Sequence, residues 1–187
     1  MNLFYLDHDL DRSAEYHIDK HVGKMQLEAA QLLTTAIWVD RYLGYVPRAL
    51  NGEELAIIKK AAGAEPAIEE RTFTRYLPTH HNHPSNIWVR SSLEHFWWTV
   101  CYVNALNSES MYRGNKPHAS CDVVNALPDL QCMKNTGFKP PTQAMPDKYK
   151  QNNTVEAYRN YYFGDKYDIA SWKIRGEPIW WTERQLF

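Results

Sequence analysis

One run of side chains in this 187-residue chain has both the types and the spacing that chemistry needs. His17, Lys20, His21, Lys24, Glu28 and Gln31 follow one another at intervals of three and four. At about 100° per residue they fall within roughly 60° of one line on a helix, beside the apolar stripe rather than opposite it. Side chains on that border sit at the edge of a core, where a cleft forms. Two His and two Lys packed together repel when charged, so an anion, or Glu28 and Asp19, must neutralise them. His17, His21, Lys24 and Glu28 are therefore candidate catalytic residues, and Lys20 a candidate phosphate ligand. The plainer reading of the pattern is a solvated helix face.

Two further clusters suit an anionic ligand. Thr79 to Pro84 reads THHNHP, followed by Trp88 and Arg90. His80 and His83 there stand before a helix start, whose free N–H groups favour negative charge. Tyr112 to His118 reads YRGNKPH, placing Arg113, Lys116 and His118 on a glycine-containing loop, with Tyr112 able to stack on a base. The alternatives are a helix-opening loop with incidental His and a solvated turn. A fourth stretch, Gln143 to Lys150 with Tyr158 and Arg159, reads as structural.

Some chemistries find no pattern. P-loop, G-x-G-x-x-G, G-x-S-x-G and kinase motifs are absent. His17 and His21 at i, i+4 match a helical metal pair that Glu28 and His83 could complete. No H-E-x-x-H supports it, and no ligands at helical spacing follow His8-Asp9, so the expectation is no metal and no cofactor. The cysteines, Cys101, Cys121 and Cys132, are odd in number, widely spaced and without a C-x-x-C pair, which fits a reducing compartment.

These side chains must be held by helices. Ile18, Val22, Met25, Ala29, Leu32 and Ala36 form an apolar stripe on a long helix, begun by Asp11 or Ser13 and running to about Trp38. A short helix is predicted over Glu53 to Ala62, ended by Gly63. Pro84 opens an aromatic-rich helix from about Ser85 to Asn107. Residues 113 to 145, rich in Gly and Pro, read as a long ordered loop with a helical turn or two near Ser120 to Ala126. Short helices follow at Thr154 to Tyr162 and Asp165 to Ile174, and the aromatics Trp180, Trp181 and Phe187 should pack the tail. Strand signals are weak throughout. The expectation is an all-α, compact single-domain helical bundle with long ordered loops.

Composition narrows the setting. With 44% apolar residues, the chain can build a core. A net charge of −1 argues against a non-specific coat on nucleic acid. No signal peptide and no apolar run near 20 residues stand out, so no membrane contact and a cytoplasmic location are expected.

Three segments resemble the pyrimidine-dimer DNA glycosylases with AP-lyase activity, the endonuclease V type of phages and bacteria: MNLFYLDHDLD with AEYHIDKHV, then Asn82, His83, Pro84, Trp88 and Arg90, then WKIRGEPIWW. Together they cover about a third of the chain. The resemblance implies an all-helical domain that kinks DNA and extrudes a base. It implies that an N-terminal α-amine, here that of Met1, attacks the sugar C1′ and forms a Schiff base with help from an acid. An amine with an ordinary pKa of about 7.7 is largely available as a neutral nucleophile. The chain departs from the family twice. No Glu stands at Ile18 to His21, where Asp19 is the nearest acid, and the loop at 113 to 145 is extra.

The expectation that follows is a DNA- or nucleotide-acting enzyme, glycosylase/AP-lyase-like, in the host cytoplasm if phage-encoded. Met1, His17, His21, Lys24 and Glu28 would stand near the chemistry. Lys20, His80, His83, Arg90, Tyr112, Arg113, Lys116 and His118 would hold substrate or phosphate. The alternatives are a base-modifying or nucleotide-transfer enzyme on the same fold, a metal-dependent phosphohydrolase, and a non-enzymatic nucleic-acid-binding module. Oligomeric state is not legible.

Overall fold

The computed structural model describes residues 2–67, 70–71 and 74–184. Among them the protein is all-α, with no strand. Its helices are α1 (Leu10–Glu15), α2 (Asp19–Leu43), α3 (Gly52–Gly63), α4 (Pro84–Val89), α5 (Leu93–Tyr112), α6 (Ala119–Asn125), α7 (Thr154–Asp165) and α8 (Ile179–Arg184). No described helix is long and apolar enough to cross a membrane.

Helix α2 is the central element, packed against α3, α4, α5 and α6. The expected stripe is buried along its whole length, from Ile18 to Ala36. The apolar opening, Leu3 to Leu6, threads into the core as extended chain without a partner strand. Buried backbone groups need partners, and side chains supply them. Ser13 Oγ accepts from the Leu6 N–H at 3.1 Å, and Arg159 Nε donates to the Leu6 carbonyl at 2.8 Å.

The expected first helix is in fact two, and the reason lies far away in sequence. Between α1 and α2 the carbonyls of Glu15 and His17 accept from the Arg113 guanidinium at 2.9 Å each. The Tyr16 carbonyl accepts from Trp172 Nε1 at 3.0 Å. Carbonyls that an α-helix leaves unpaired at its C-terminus are thus satisfied by tertiary partners, and the chain turns at Ile18. The expected helix over 85–107 also divides. Ser92 caps α5 and accepts from the Glu94 N–H at 3.3 Å, while the Ser91 carbonyl accepts from Tyr45 and Thr136.

Elsewhere the boundaries agree closely. Helix α3 opens with a capping box between Asn51 and Glu54. Helix α6 is the single helical stretch between 113 and 145, and α7 extends through Gly164 to Asp165. Where a helix over 165–174 was expected, only a 3-10 turn, Tyr167–Ile169, forms. The tail packs through the buried Trp180 and Trp181, and Phe187 lies outside the described residues.

The long loop is ordered by long-range hydrogen bonds. Buried Asp40, on α2, accepts from the N–H groups of Gln131 at 2.6 Å and Cys132 at 2.9 Å. Trp88 Nε1 donates to the Lys139 carbonyl at 3.1 Å, and His95 Nε2 accepts from the Lys139 N–H at 2.9 Å.

Candidate functional site

The N-terminal half of α2, the start of the chain, the turn at 143–146 and helix α7 enclose a two-lobed cleft. The first lobe, about 160 Å³, is lined by His21, Lys24, Glu28, Asn2, Tyr161 and Lys166 among others. The second, about 390 Å³, is lined by His83, Gln143, Met145, Lys150 and Tyr161 among others. Tyr161 belongs to both lobes. The second lies in the ~300–1,000 Å³ range typical of ligand sites.

Glu28 organises the first lobe. One carboxylate oxygen lies 3.5 Å from Lys24 Nζ, one helical turn away, and the other accepts from the Asn2 N–H at 3.2 Å. Asn2 in turn donates through Nδ2 to the Ala144 carbonyl at 2.9 Å. Tyr158, buried beneath, donates its hydroxyl to the Thr142 carbonyl at 2.6 Å. The chain start, α2 and the 142–145 turn are therefore tied at one point.

His21 is held neutral. Its Nδ1 lies 2.6 Å from the Tyr162 hydroxyl, which leaves Nε2 as the ring nitrogen open to the cleft. Burial, then Lys166 and Lys24, lower its pKa to about 4. His21 adds no third positive charge beside the two lysines at neutral pH. Lys166 Nζ sits 4.8 Å above the Tyr161 ring, a cation–π arrangement that fixes both side chains.

His83 reaches the second lobe as the N-cap of α4, its Nδ1 accepting from the Ser85 N–H at 3.2 Å. Burial lowers its pKa, His80 adds to the effect, and Glu28 opposes it. The loop that delivers it is rigid. Asn82 makes two hydrogen bonds to the Leu50 backbone, at 2.7 and 2.9 Å. His80 takes a left-handed backbone (φ +50°), a strained conformation for a residue with a side chain.

Of the residues singled out from sequence, His21, Lys24, Glu28 and His83 converge on this cleft. Lys20 and His80 are exposed and line neither lobe. His17 sits in the core. Its Nδ1 is 2.7 Å from the Ser13 carbonyl and must donate to it, and Nε2 accepts from the Tyr102 hydroxyl at 2.8 Å. Complete burial lowers its pKa to about 3. With both ring nitrogens used, His17 cannot pair with His21 as a metal ligand. Among the described residues no group of three or more His, Cys, Asp or Glu is placed to hold a metal.

The arginines are structural. Arg90 is buried, and its guanidinium donates to the carbonyls of His81 (2.7 Å), Arg48 (2.6 Å) and Val46 (3.3 Å) and to Asn86 Oδ1 (3.0 Å). Arg113 pairs with Asp19 at 2.9 Å and Glu109 at 2.7 Å while it holds the α1–α2 turn. Tyr112 is exposed and lies over the Arg175 guanidinium at 3.7 Å, lining a different pocket. His118 caps α6 and Lys116 is exposed. Met1 lies outside the described residues.

Asn2, Lys150, Tyr161 and Lys166 were not singled out for the site from sequence. Lys166 and Tyr161 stand five apart on and just beyond α7, a spacing that gives no face signal. Asn2 is marked only by its place at the start of the chain. Comparison with protein-family models, curated proteins and solved structures finds no match for this chain.

Proposed function

We propose that this protein is an enzyme acting on DNA or a nucleotide, glycosylase/AP-lyase-like in its chemistry, with the two-lobed cleft as its active site. The observation that carries this reading is the meeting of Glu28, Lys24 and the Asn2 N–H in a polar cleft. Asn2 is the residue bonded to Met1, so the start of the chain runs beside a carboxylate. In the imine mechanism the amine lone pair of Met1 forms a bond to the sugar C1′. The base leaves with the electron pair of the C–N bond and is protonated. Glu28 takes the proton that the attacking nitrogen gives up. Lys24, Lys166 and Lys150 attract phosphate as point charges. His21, uncharged, supplies a hydrogen bond through Nε2.

The test is borohydride trapping on two duplex oligonucleotides, one with an abasic site and one with a thymine dimer. An adduct on the N-terminal peptide supports the reading. No adduct on either, with protein folded and Met1 intact, discards imine chemistry.

A second reading, a base-modifying or nucleotide-transfer enzyme, rests on the excess of cations over acids in the cleft. Lys24, Lys166 and Lys150 face Glu28 as the acid lining the lobes. Such a site suits a substrate with clustered phosphate charge, such as a pyrophosphate.

A further inference from the structure

Asn2 occupies the one place where the three walls of the cleft meet. Its backbone N–H reaches Glu28 Oε2 on α2 at 3.2 Å. Its side-chain Nδ2 donates to the Ala144 carbonyl in the 142–145 turn at 2.9 Å. Its Oδ1 lies 3.3 Å from the Tyr158 hydroxyl on α7, which donates more closely to the Thr142 carbonyl, at 2.6 Å. An amide is suited to this place because it donates and accepts at once. A carboxylate can only accept, and a carbonyl oxygen would face it across the Ala144 contact.

We infer that Asn2 is a positioning residue of the cleft, locking the start of the chain to the 142–145 turn so that its N–H is aimed at Glu28 and both lobes keep their register. This rests on the proposed function for its catalytic consequence, though the clamp itself is geometric. Asn2 acts through Glu28 and the turn. Its reach is local: no other described side chain touches both the 142–145 turn and α2 at this point. Misplacing a reacting group by about 1 Å can cost on the order of a hundredfold in rate, so a clamp this close to Glu28 has kinetic weight.

The experiment uses the full chain and the Asn2→Asp variant, which keeps the size of the side chain but removes the Nδ2 donor. Mass spectrometry first checks that both carry the same N-terminus. Three quantities are then read: the affinity for an abasic-site duplex, the trapping rate at saturating duplex, and amide hydrogen exchange of residues 142–146. The expected result is a trapping rate lower by at least about tenfold, affinity nearly unchanged, and faster exchange confined to 142–146. A variant that traps like the parent overturns the positioning role and leaves the proposed function standing. A parent that traps neither duplex overturns the proposed function instead. The clamp is then decided by exchange alone: unchanged protection of 142–146 in the variant overturns it, and local loss of protection supports it.

Discussion

His21 Nδ1 lies 2.6 Å from the Tyr162 hydroxyl, and the same imidazole stacks on Phe4 with ring centroids 4.7 Å apart. The ring is thereby fixed in both orientation and charge. Four aromatic side chains, Phe4, Tyr102, Tyr158 and Tyr162, surround His17 and His21 beneath the cleft. This apolar floor lets the polar lobe above it carry two lysines without a charged histidine between them.

The buried histidines make the fold acid-sensitive. An unfolded His titrates near 6.5, whereas folding and burial lower His17 to about 3 and His21 to about 4. Between those values the unfolded chain binds protons that the folded chain refuses, so stability falls as pH drops below 6.5. Each unit of depression is worth about 1.4 kcal/mol, and the two effects act in the same direction. Urea midpoints should decline from pH 7 to pH 4.5, and a flat profile over that range would refute the assignment of neutral, buried rings.

Arg90 should tolerate no replacement, lysine included. Removing its guanidinium strands the carbonyls of Val46, Arg48 and His81. Arg90→Met should cost about 3–5 kcal/mol, the usual penalty for breaking a buried charged cluster. Arg90→Lys should recover little, because one ammonium cannot span acceptors set out for a planar fork. Denaturant unfolding of the two variants checks this.

Lys24 and Lys166 should separate binding from stability. The Lys24–Glu28 pair is solvent-facing, with Lys24 63% exposed, and such helical pairs contribute about 0.3–0.5 kcal/mol. The double variant Lys24→Ala/Lys166→Ala should keep its urea midpoint within that margin. Its oligonucleotide affinity should fall and depend less steeply on salt, as fewer phosphate contacts release fewer counterions. An unchanged salt slope would place phosphate binding elsewhere.

Glu28→Gln keeps the size and the hydrogen-bond acceptor facing Asn2 but removes the proton acceptor. Proton transfer by a positioned side chain is worth about 10²–10⁴-fold. The trapping rate should drop by about a hundredfold or more with little change in duplex affinity. Equal rates in parent and variant would remove Glu28 from the chemistry.

The sequence by itself determined the class of fold and much of one wall of the site. The apolar stripe from Ile18 to Ala36 and the adjoining Lys24 and Glu28 are set by helical periodicity, and periodicity is local, so it is legible in order along the chain. The capping box at Asn51 and Glu54 is local in the same way. Tertiary structure alone decided the rest. His17 and His21 look alike in sequence, yet one ends in the core against Tyr102 and the other at the cleft against Tyr162, because the helix begins after His17. That start is fixed by Arg113 and Trp172, roughly a hundred residues and more downstream, whose donors take the carbonyls of residues 15–17. Arg90 and Arg113 have the charge of phosphate ligands, but whether a guanidinium meets a ligand or a backbone carbonyl depends on which loops surround it. Asn2, Tyr161 and Lys166 join the site only because α7 and the chain start pack against α2, and no periodicity connects segments so far apart.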